Sequence, residues 1–463
     1  MKKQLIALTL SLIGFCAFSQ STIWTTYGSG LNTNGGIRYL SAVDSNTVWA
    51  IGFYGSANTA TNIFTRTIDG ATFNTGTFLT DTNTFNASSI SAVDANTAFI
   101  SVYDKAGDGT SGAIMQTING GGTWNNIAGV GMFTGVNNFP DFVYFWNNTT
   151  GIAVGDPNGN TITNDSIKIA HGDTVPQFEI WQTTSGGGTW TRVSDTLIPN
   201  PQTNEFGVSN SYAVYAQKVW FGTTTGRVYS SSDSGKWVVY PTGLYGGVNG
   251  LAFRDSLHGL VWGFLNSTTQ TITVMNTTNG GHTWATIPAN LYIGRNSFCA
   301  IPGTYGFMSV GLNQAASAYA TSVTYNDGAD WTIIESNTSN TEKIAVVQMT
   351  DTLHGWAGTH TTGTTNGMNK YMGSNLAGIQ QVKNNNNQLV VYPNPAQDIL
   401  NIEYLLVNEN ASLQIIDMLG NVVKQVPFNT KHVTINIADM QKGVYLLRMQ
   451  NGVANSVQKL IIQ

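Results

Sequence analysis

The sequence predicts an all-β chain: a seven-bladed β-propeller closed by an N-terminal strand, followed by a small Ig-like β-sandwich. Three observations predict it. A short box ending in an aromatic residue recurs along the first 331 residues, its last three intervals each 47 residues long. A strand–turn–strand element precedes each box. The composition changes at a polar run, Lys383-Asn-Asn-Asn-Asn-Gln388, beyond which the box does not recur. The expected organisation is a signal peptide over 1–19, the propeller over 20–378, a linker over 379–388 and a terminal module over 389–463.

The chain begins Met1-Lys2-Lys3, and an apolar run follows from Leu5 to Phe18. Ala17-Phe18-Ser19 fits a small-x-small cleavage site, so this stretch reads as a secretory leader. Phe15 stands where a lipidation signal before Cys16 needs a small residue, which argues against a lipoprotein. After cleavage only Cys299 remains, and stability then comes from packing rather than an internal disulfide.

The box is clearest at Thr117-Ile-Asn-Gly-Gly-Gly-Thr-Trp124, Thr183-Thr-Ser-Gly-Gly-Gly-Thr-Trp190 and Thr277-Thr-Asn-Gly-Gly-His-Thr-Trp284. Looser copies end at Phe73, Trp237 and Trp331. The closing aromatics are spaced 51, 66, 47, 47 and 47 residues apart. Ser41-Ala-Val-Asp-Ser-Asn-Thr-Val-Trp-Ala50 and Ser91-Ala-Val-Asp-Ala-Asn-Thr-Ala-Phe-Ile100 exemplify the preceding element, of which there are seven copies. Each unit thus holds four short strands joined by Gly/Asn/Asp turns, which is one propeller blade. The last unit, from Lys343 to Asn375, lacks a closing box, while Trp24 in Thr22-Ile-Trp-Thr-Thr26 reads as an outer strand without inner partners. The two fragments complete one blade and leave no free sheet edge between first and last.

The box resembles the Asp-box of BNR-type propellers, a group that includes sialidases, sortilin-like ectodomains and photosystem II assembly-factor-like proteins. The resemblance implies a turn between third and fourth strands. Its Asp, Asn or Ser bonds turn amides, and its aromatic residue wedges between blades. Carried over, the pairs are Asp69 with Phe73, Asn119 with Trp124, Ser185 with Trp190, Asp233 with Trp237, Asn279 with Trp284, and Asn326 with Trp331. Trp49, Trp220, Trp262 and Trp356 fall on second strands and read as structural too; His258 and His354 share one turn position and read as turn residues.

The terminal module resembles the type A C-terminal sorting domain of the type IX secretion system. The match rests on Tyr392, Pro393, Asn394 and Pro395, on the turn Asp417-Met-Leu-Gly420, on Gly443 and Tyr445, and on Lys459 near the end. The resemblance implies passage through the outer membrane by the type IX machinery and removal of the module. The cargo is then anchored to surface lipopolysaccharide or released.

Charged residues make up 10% of the chain and the net charge is −5, without a basic cluster, so nucleic acid is not an expected partner. One blade carries an insertion near 155–176, and it also holds the acidic-aromatic run Phe139-Pro-Asp-Phe-Val-Tyr-Phe-Trp146. Asp141, Trp146, Asp156, Trp181 and Glu205 are the expected ligand-binding groups. Asp156, Asn158 and Asn160 resemble a calcium loop, but Thr161 and Ile167 replace its Gly and Glu, so no metal and no cofactor are expected. The propeller has six Arg (38, 66, 192, 227, 254 and 295) and four Glu (179, 205, 335 and 342), and it lacks the Phe-Arg-Ile-Pro motif of sialidases. Xyloglucanase-like enzymes pair two Asp across two propellers, and this chain has room for one. The expected function is a secreted or surface module that binds glycan or protein without catalysis; the alternative is a glycoside hydrolase on the propeller face. Five Asp-Ser/Thr-aliphatic triplets, starting at Asp165, Asp173, Asp195, Asp255 and Asp351, are similar to a bacterial O-glycosylation signal.

Overall fold

A computed structural model describes residues 23–31, 35–54, 59–79, 85–105, 111–134, 139–157, 176–265, 272–287, 296–313, 318–337, 343–361, 365–376, 390–403, 412–418, 420–427, 432–451 and 454–463. The leader, the linker, the calcium-like residues Asn158, Asn160, Thr161 and Ile167, and the triplets at Asp165 and Asp173 lie outside the described residues. The chain divides into two compact units, Met1–Gly378 and Ile379–Gln463.

The first unit is a seven-bladed propeller. Its blades are antiparallel sheets whose strands follow one another in sequence order from the axis outward. The innermost strands are Gly35–Ala42, Phe85–Ala92, Pro140–Phe145, Gly207–Tyr215, Tyr245–Phe253, Ser297–Ala300 and Ile344–Met349. The seventh blade is completed by Trp24–Gly28, which pairs with Gly367–Tyr371 from Trp24↔Tyr371 to Gly28↔Gly367. The ring is therefore closed by its own N-terminal strand.

The recurring box makes the turn before each outer strand. In blade 2 the Thr117 hydroxyl accepts from the Gly121 amide at 2.9 Å, and Asn119 Oδ1 accepts from the Thr123 amide at 2.9 Å. The same two bonds recur as Gly187 and Thr189 on Thr183 and Ser185, Gly281 and Thr283 on Thr277 and Asn279, and Gly328 and Asp330 on Thr324 and Asn326. In blade 1 Asp69 accepts from Ala71 and Thr72, and in blade 4 Asp233 accepts from Gly235. The turn passes through positive φ at Gly120 and Gly121 (73° and 88°), which glycine adopts without steric cost.

Among the described residues, seven apolar clusters join neighbouring blades around the ring. Phe73 lies edge-on to Trp356 at 5.8 Å, joining blade 1 to blade 7, and Trp124 lies edge-on to Trp49 and Phe64, joining blade 2 to blade 1. Trp190 Nε1 donates to the Ile127 carbonyl at 2.8 Å. Trp237 packs with Phe142, Ile152 and Phe178 of blade 3, and Trp331 packs with Leu260 and Val274 of blade 5. Trp284 packs with Phe253 and Trp220. Second-strand tryptophans reach to the next blade: Trp49 Nε1 donates to Asp94 O, Trp220 Nε1 to Gly280 O and Trp356 Nε1 to Asp44 O, each at 3.0–3.1 Å. His258 and His354 cap the turns whose acids, Asp255 and Asp351, also accept their backbone amides at 2.8 Å.

Near the axis the blades are laced by side chains. Ser41 Oγ accepts from the Ala92 amide, Ser89 and Ser91 from Val143 and Phe145, Ser297 from Val347, and Gln348 Oε1 from Ala42; Ser211 donates to the Val248 carbonyl. These bonds occupy inner-edge backbone groups that no ladder reaches.

The second unit is a β-sandwich. One sheet runs Val390–Tyr392, Ile399–Glu403, His432–Asn436; the other runs Val422–Pro427, Ser412–Ile416, Gly443–Asn451, Ala454–Ile462. Leu400, Ile402, Ile435 and Ile437 meet Leu413, Ile415, Leu447, Met449, Leu460 and Ile462 in its core. Alternation of apolar and polar residues places one face of each sheet inward. Asn394 fastens the start of the module to its last strand: its Nδ2 donates to Lys459 O at 2.8 Å and its Oδ1 accepts from Ile461 N at 2.9 Å. Pro393 and Pro395 flank it on the surface. Asp417 closes the Gly420 turn by accepting from Asn421, and Tyr445 Oη donates to Gln441 O.

Candidate functional site

Two features converge on the propeller: an acidic junction between blades 3 and 4, and a central channel. The junction follows from strand pairing. Pro140 pairs with Gly155, and Gly155 with Glu179. This places Asp141, Asp156 and Glu179 at one end of blade 3. Gly207, the first residue of the innermost strand of blade 4, donates its amide to Asp156 Oδ1 at 2.6 Å. A Cβ at position 207 would stand 1.9 Å from Asp141 Oδ2, so only glycine permits this approach.

Asp141 and Asp156 are buried carboxyls side by side. No hydrogen bond from a described residue reaches either oxygen of the Asp141 carboxyl. Burial pushes the Asp141 pKa well up, and the neighbouring Asp156 charge pushes it further. Burial also raises Asp156, against the lowering effect of the Gly207 amide and of Asp141. Raised carboxyl values mean that the pair's contribution to stability is complete below about pH 4 and is lost as the pH rises through the raised values. Asp141→Asn removes one of the two ionisations and gives Asp156 a permanent donor. The melting temperature of the variant will fall less between pH 5 and pH 9 than that of the parent; equal slopes would refute the raised ionisation of the pair.

Glu205 sits two residues before Gly207 and is also buried. Its Oε1 accepts from Thr223 Oγ1 at 2.5 Å, Thr225 Oγ1 at 2.7 Å and Arg227 Nε at 3.0 Å; its Oε2 accepts from Gln202 N at 2.7 Å and from Arg227 Nη2. Burial alone would raise its pKa, but Arg227 and these donors outweigh burial and hold it below the usual range. Glu179 Oε1 accepts from Phe133 N at 2.9 Å and from Trp181 Nε1 at 2.8 Å. Trp181 is buried, and half-buried Trp146 donates to Ala216 O across to blade 4 at 2.6 Å. The structure thus brings Asp141 and Asp156 into contact, sets Glu205 beside them in the chain of blade 4, and spends Trp146 and Trp181 on packing and hydrogen bonds. None of the four groups Asp141, Asp156, Trp181 and Glu205 lines the channel.

The channel is a cavity of about 710 Å³ walled by innermost strands. In blades 1, 2, 3, 5 and 7 the register of that strand slips by one residue, at Arg38, Ser88, Asp141, Asn249 and Ala345. Blade 4 slips between Gly207 and Tyr212, with Asn210 at φ 59°, and in blade 6 the matching place, just before the paired Ser297, holds Asn296. A bulge re-aims the side chain of its extra residue. Arg38, Asn210, Asn249 and Asn296 accordingly line the cavity, with Tyr144, Tyr215, Tyr305 and Gln348 around them. Asp255 is the one carboxylate among the described lining residues; Arg254 binds it at 3.0 Å and also binds Asp327 at 2.8 Å. Among the described residues no cluster of three metal-ligating side chains exists.

Sequence reasoning missed this ring. The signal that would have found it is a column in the repeat. Arg38, Ser88, Asp141, Asn249 and Ala345 each stand six positions before the turn residue Asp44, Asp94, Asn147, Asp255 or Asp351.

Comparison with known proteins agrees with both units. Residues 390–463 match the family described as secretion system C-terminal sorting domain. No curated protein matches the chain. Among solved structures, YCF48 bound to D1 peptide superposes with a TM-score of 0.50 at 13% identity, over 76% of this chain and 96% of that one. PorZ, a surface component of the type IX secretion system of Porphyromonas gingivalis, is similar at 12% identity over 92% of this chain and 70% of that one, TM-score 0.25. The Niastella koreensis GH74 enzyme is similar at 12% identity over 92% and 68%, TM-score 0.26. The YCF48 likeness shows the propeller fold. The sorting domain makes this an exported protein that engages the type IX secretion machinery and crosses the outer membrane to the cell surface or beyond.

Proposed function

We propose that the exported propeller is a non-catalytic glycan-binding module whose site is the central channel. The observation that carries this reading is the contrast between the channel wall and the acidic junction. Glycoside hydrolysis needs two carboxyl groups about 5–10 Å apart across a cleft that admits the sugar. Here Asp141, Asp156, Glu179 and Glu205 are buried between strands and blades. Asp255 is neutralised by Arg254 and held by His258. The wall offers phenols, amides and hydroxyls, the groups that stack on and hydrogen-bond a polyhydroxylated ring.

The lacing near the axis favours sugar over an extended peptide. A peptide strand would need open backbone groups along a sheet edge. The amides of Ala42, Ala92, Val143, Phe145 and Val347 are already capped by serine and glutamine side chains. The sorting module is removed after export, in this reading, and the propeller is attached to surface lipopolysaccharide or released, which cell fractionation separates.

The test is a polysaccharide array probed with the full chain, with reducing sugar measured in the same wells. Saturable binding without product is expected. Released sugar would overturn the non-catalytic reading.

A further inference from the structure

We infer that the channel's ligand is acidic: Arg38 receives a sugar carboxylate, so the preferred glycan contains uronate. This rests on the glycan reading above and goes one step further. Arg38 is the bulged residue of the innermost strand of blade 1, half-buried in the channel wall. Its Nε donates to Tyr39 Oη at 3.1 Å, and the guanidinium lies 5.4 Å from the same ring. No described residue accepts from its terminal nitrogens, and no described carboxylate pairs with it. The remaining donors form a planar fork that fits a carboxylate with two parallel bonds.

The surroundings leave this charge uncompensated. The other channel arginine, Arg254, is taken up by Asp255 and Asp327. The matching bulge position in blade 3 holds an acid, Asp141, but its carboxyl is buried in the blade junction against Gly207, and burial beside Asp156 raises its pKa. The matching positions in blades 4, 5 and 6 hold Asn210, Asn249 and Asn296, which are neutral. On the blade 7 side, Lys343 precedes the innermost strand, and His360 pairs with Gly36, two residues from Arg38. Burial depresses the His360 pKa, and the Lys343 charge depresses it further, so His360 adds no charge of its own near neutral pH. Arg38 is therefore a local positive charge in the wall of a chain whose net charge is −5. A protein with that overall charge gains nothing from general attraction to a polyanion, so binding of one has to come from a local site.

The assignment predicts the ligand's orientation. The carboxylate seats on Arg38, the hydroxyls meet the amides of Asn210 and Asn249, and a ring face meets one of the channel tyrosines.

The experiment titrates the full chain with polygalacturonate, its fully methyl-esterified form, dextran and dextran sulfate, in calcium-free buffer. The parent is expected to bind polygalacturonate at least about tenfold more tightly than the ester, and Arg38→Gln to erase that preference, as loss of a charge-assisted pair predicts. Arg38→Lys should restore part of it, and an unchanged melting temperature excludes misfolding as the cause. Equal binding of ester and acid, or an unchanged preference in Arg38→Gln, would overturn the carboxylate assignment while leaving the glycan reading standing. Preference for dextran sulfate over polygalacturonate would overturn it in favour of a sulfated ligand. Binding of no polysaccharide would overturn the glycan reading itself.

Discussion

Trp24→Ala will destabilise the propeller by roughly 3–5 kcal/mol, the usual cost of emptying a large buried aromatic site. Trp24 is buried between blades 6 and 7, where its cluster includes Met308, Val323 and Tyr371. It lies edge-on to Tyr371 at 5.5 Å, and its Nε1 donates to Thr321 Oγ1 at 2.9 Å. Truncation empties the site and also leaves the Thr321 hydroxyl without its indole donor. Because the residue sits on the closing strand, the damage is local to the seam. The denaturant midpoint should fall, and amide exchange should accelerate first along Gly367–Tyr371, the strand that pairs with Trp24–Gly28. A variant with the parent's midpoint and the parent's protection at that seam would show that closure does not hold the ring.

Arg227→Met is the second large effect. Glu205 is fully buried and Arg227 nearly so, and the pair is bidentate, through Nε to Oε1 and Nη2 to Oε2. Removing the arginine leaves a carboxylate without its countercharge, at a cost of about 3–5 kcal/mol. The pH dependence supplies the sign. In the parent, Glu205 has a lowered pKa, so its contribution is present above the ordinary carboxyl range and is lost as the pH falls. In the variant, burial dominates and the value rises, so the penalty at neutral pH fades on acidification. The gap in unfolding free energy between parent and variant should be widest near pH 7 and narrow below about pH 5. A gap constant with pH would mean that packing of the arginine stem, not its charge, was lost. Glu205→Gln combined with Arg227→Met should recover much of the deficit, since the buried charge is then gone.

The fold was legible because its grammar is repeated. The equal spacing of Trp237, Trp284 and Trp331 counts blades. The solitary Trp24 and the boxless final unit announce a ring closed by its N-terminal strand. The site was less legible for a physical reason. Side-chain direction along a strand is read from strict alternation, and a bulge breaks the alternation at the very residue that faces the channel. Arg38 in the wall and Asp141 in the blade junction occupy the same column of the repeat yet point to different places. Asp141 and Asp156 looked like ligand groups because an acid at a strand end reads the same whether solvent or Gly207 lies beyond it. Glu205 likewise gives no sign in sequence that Arg227, on the strand that begins after the turn following Thr223, will lie across it.

The ring of bulges also separates two kinds of information. Residues in ladder register specify the architecture, because a change there disturbs pairing and packing together. A bulged residue that faces the channel, such as Arg38, contributes little to either, so its identity is left to the contents of the channel. Positions 38, 210, 249, 296 and 345 are then addresses that can be rewritten one at a time, and the same scaffold can be given a different selectivity without being refolded.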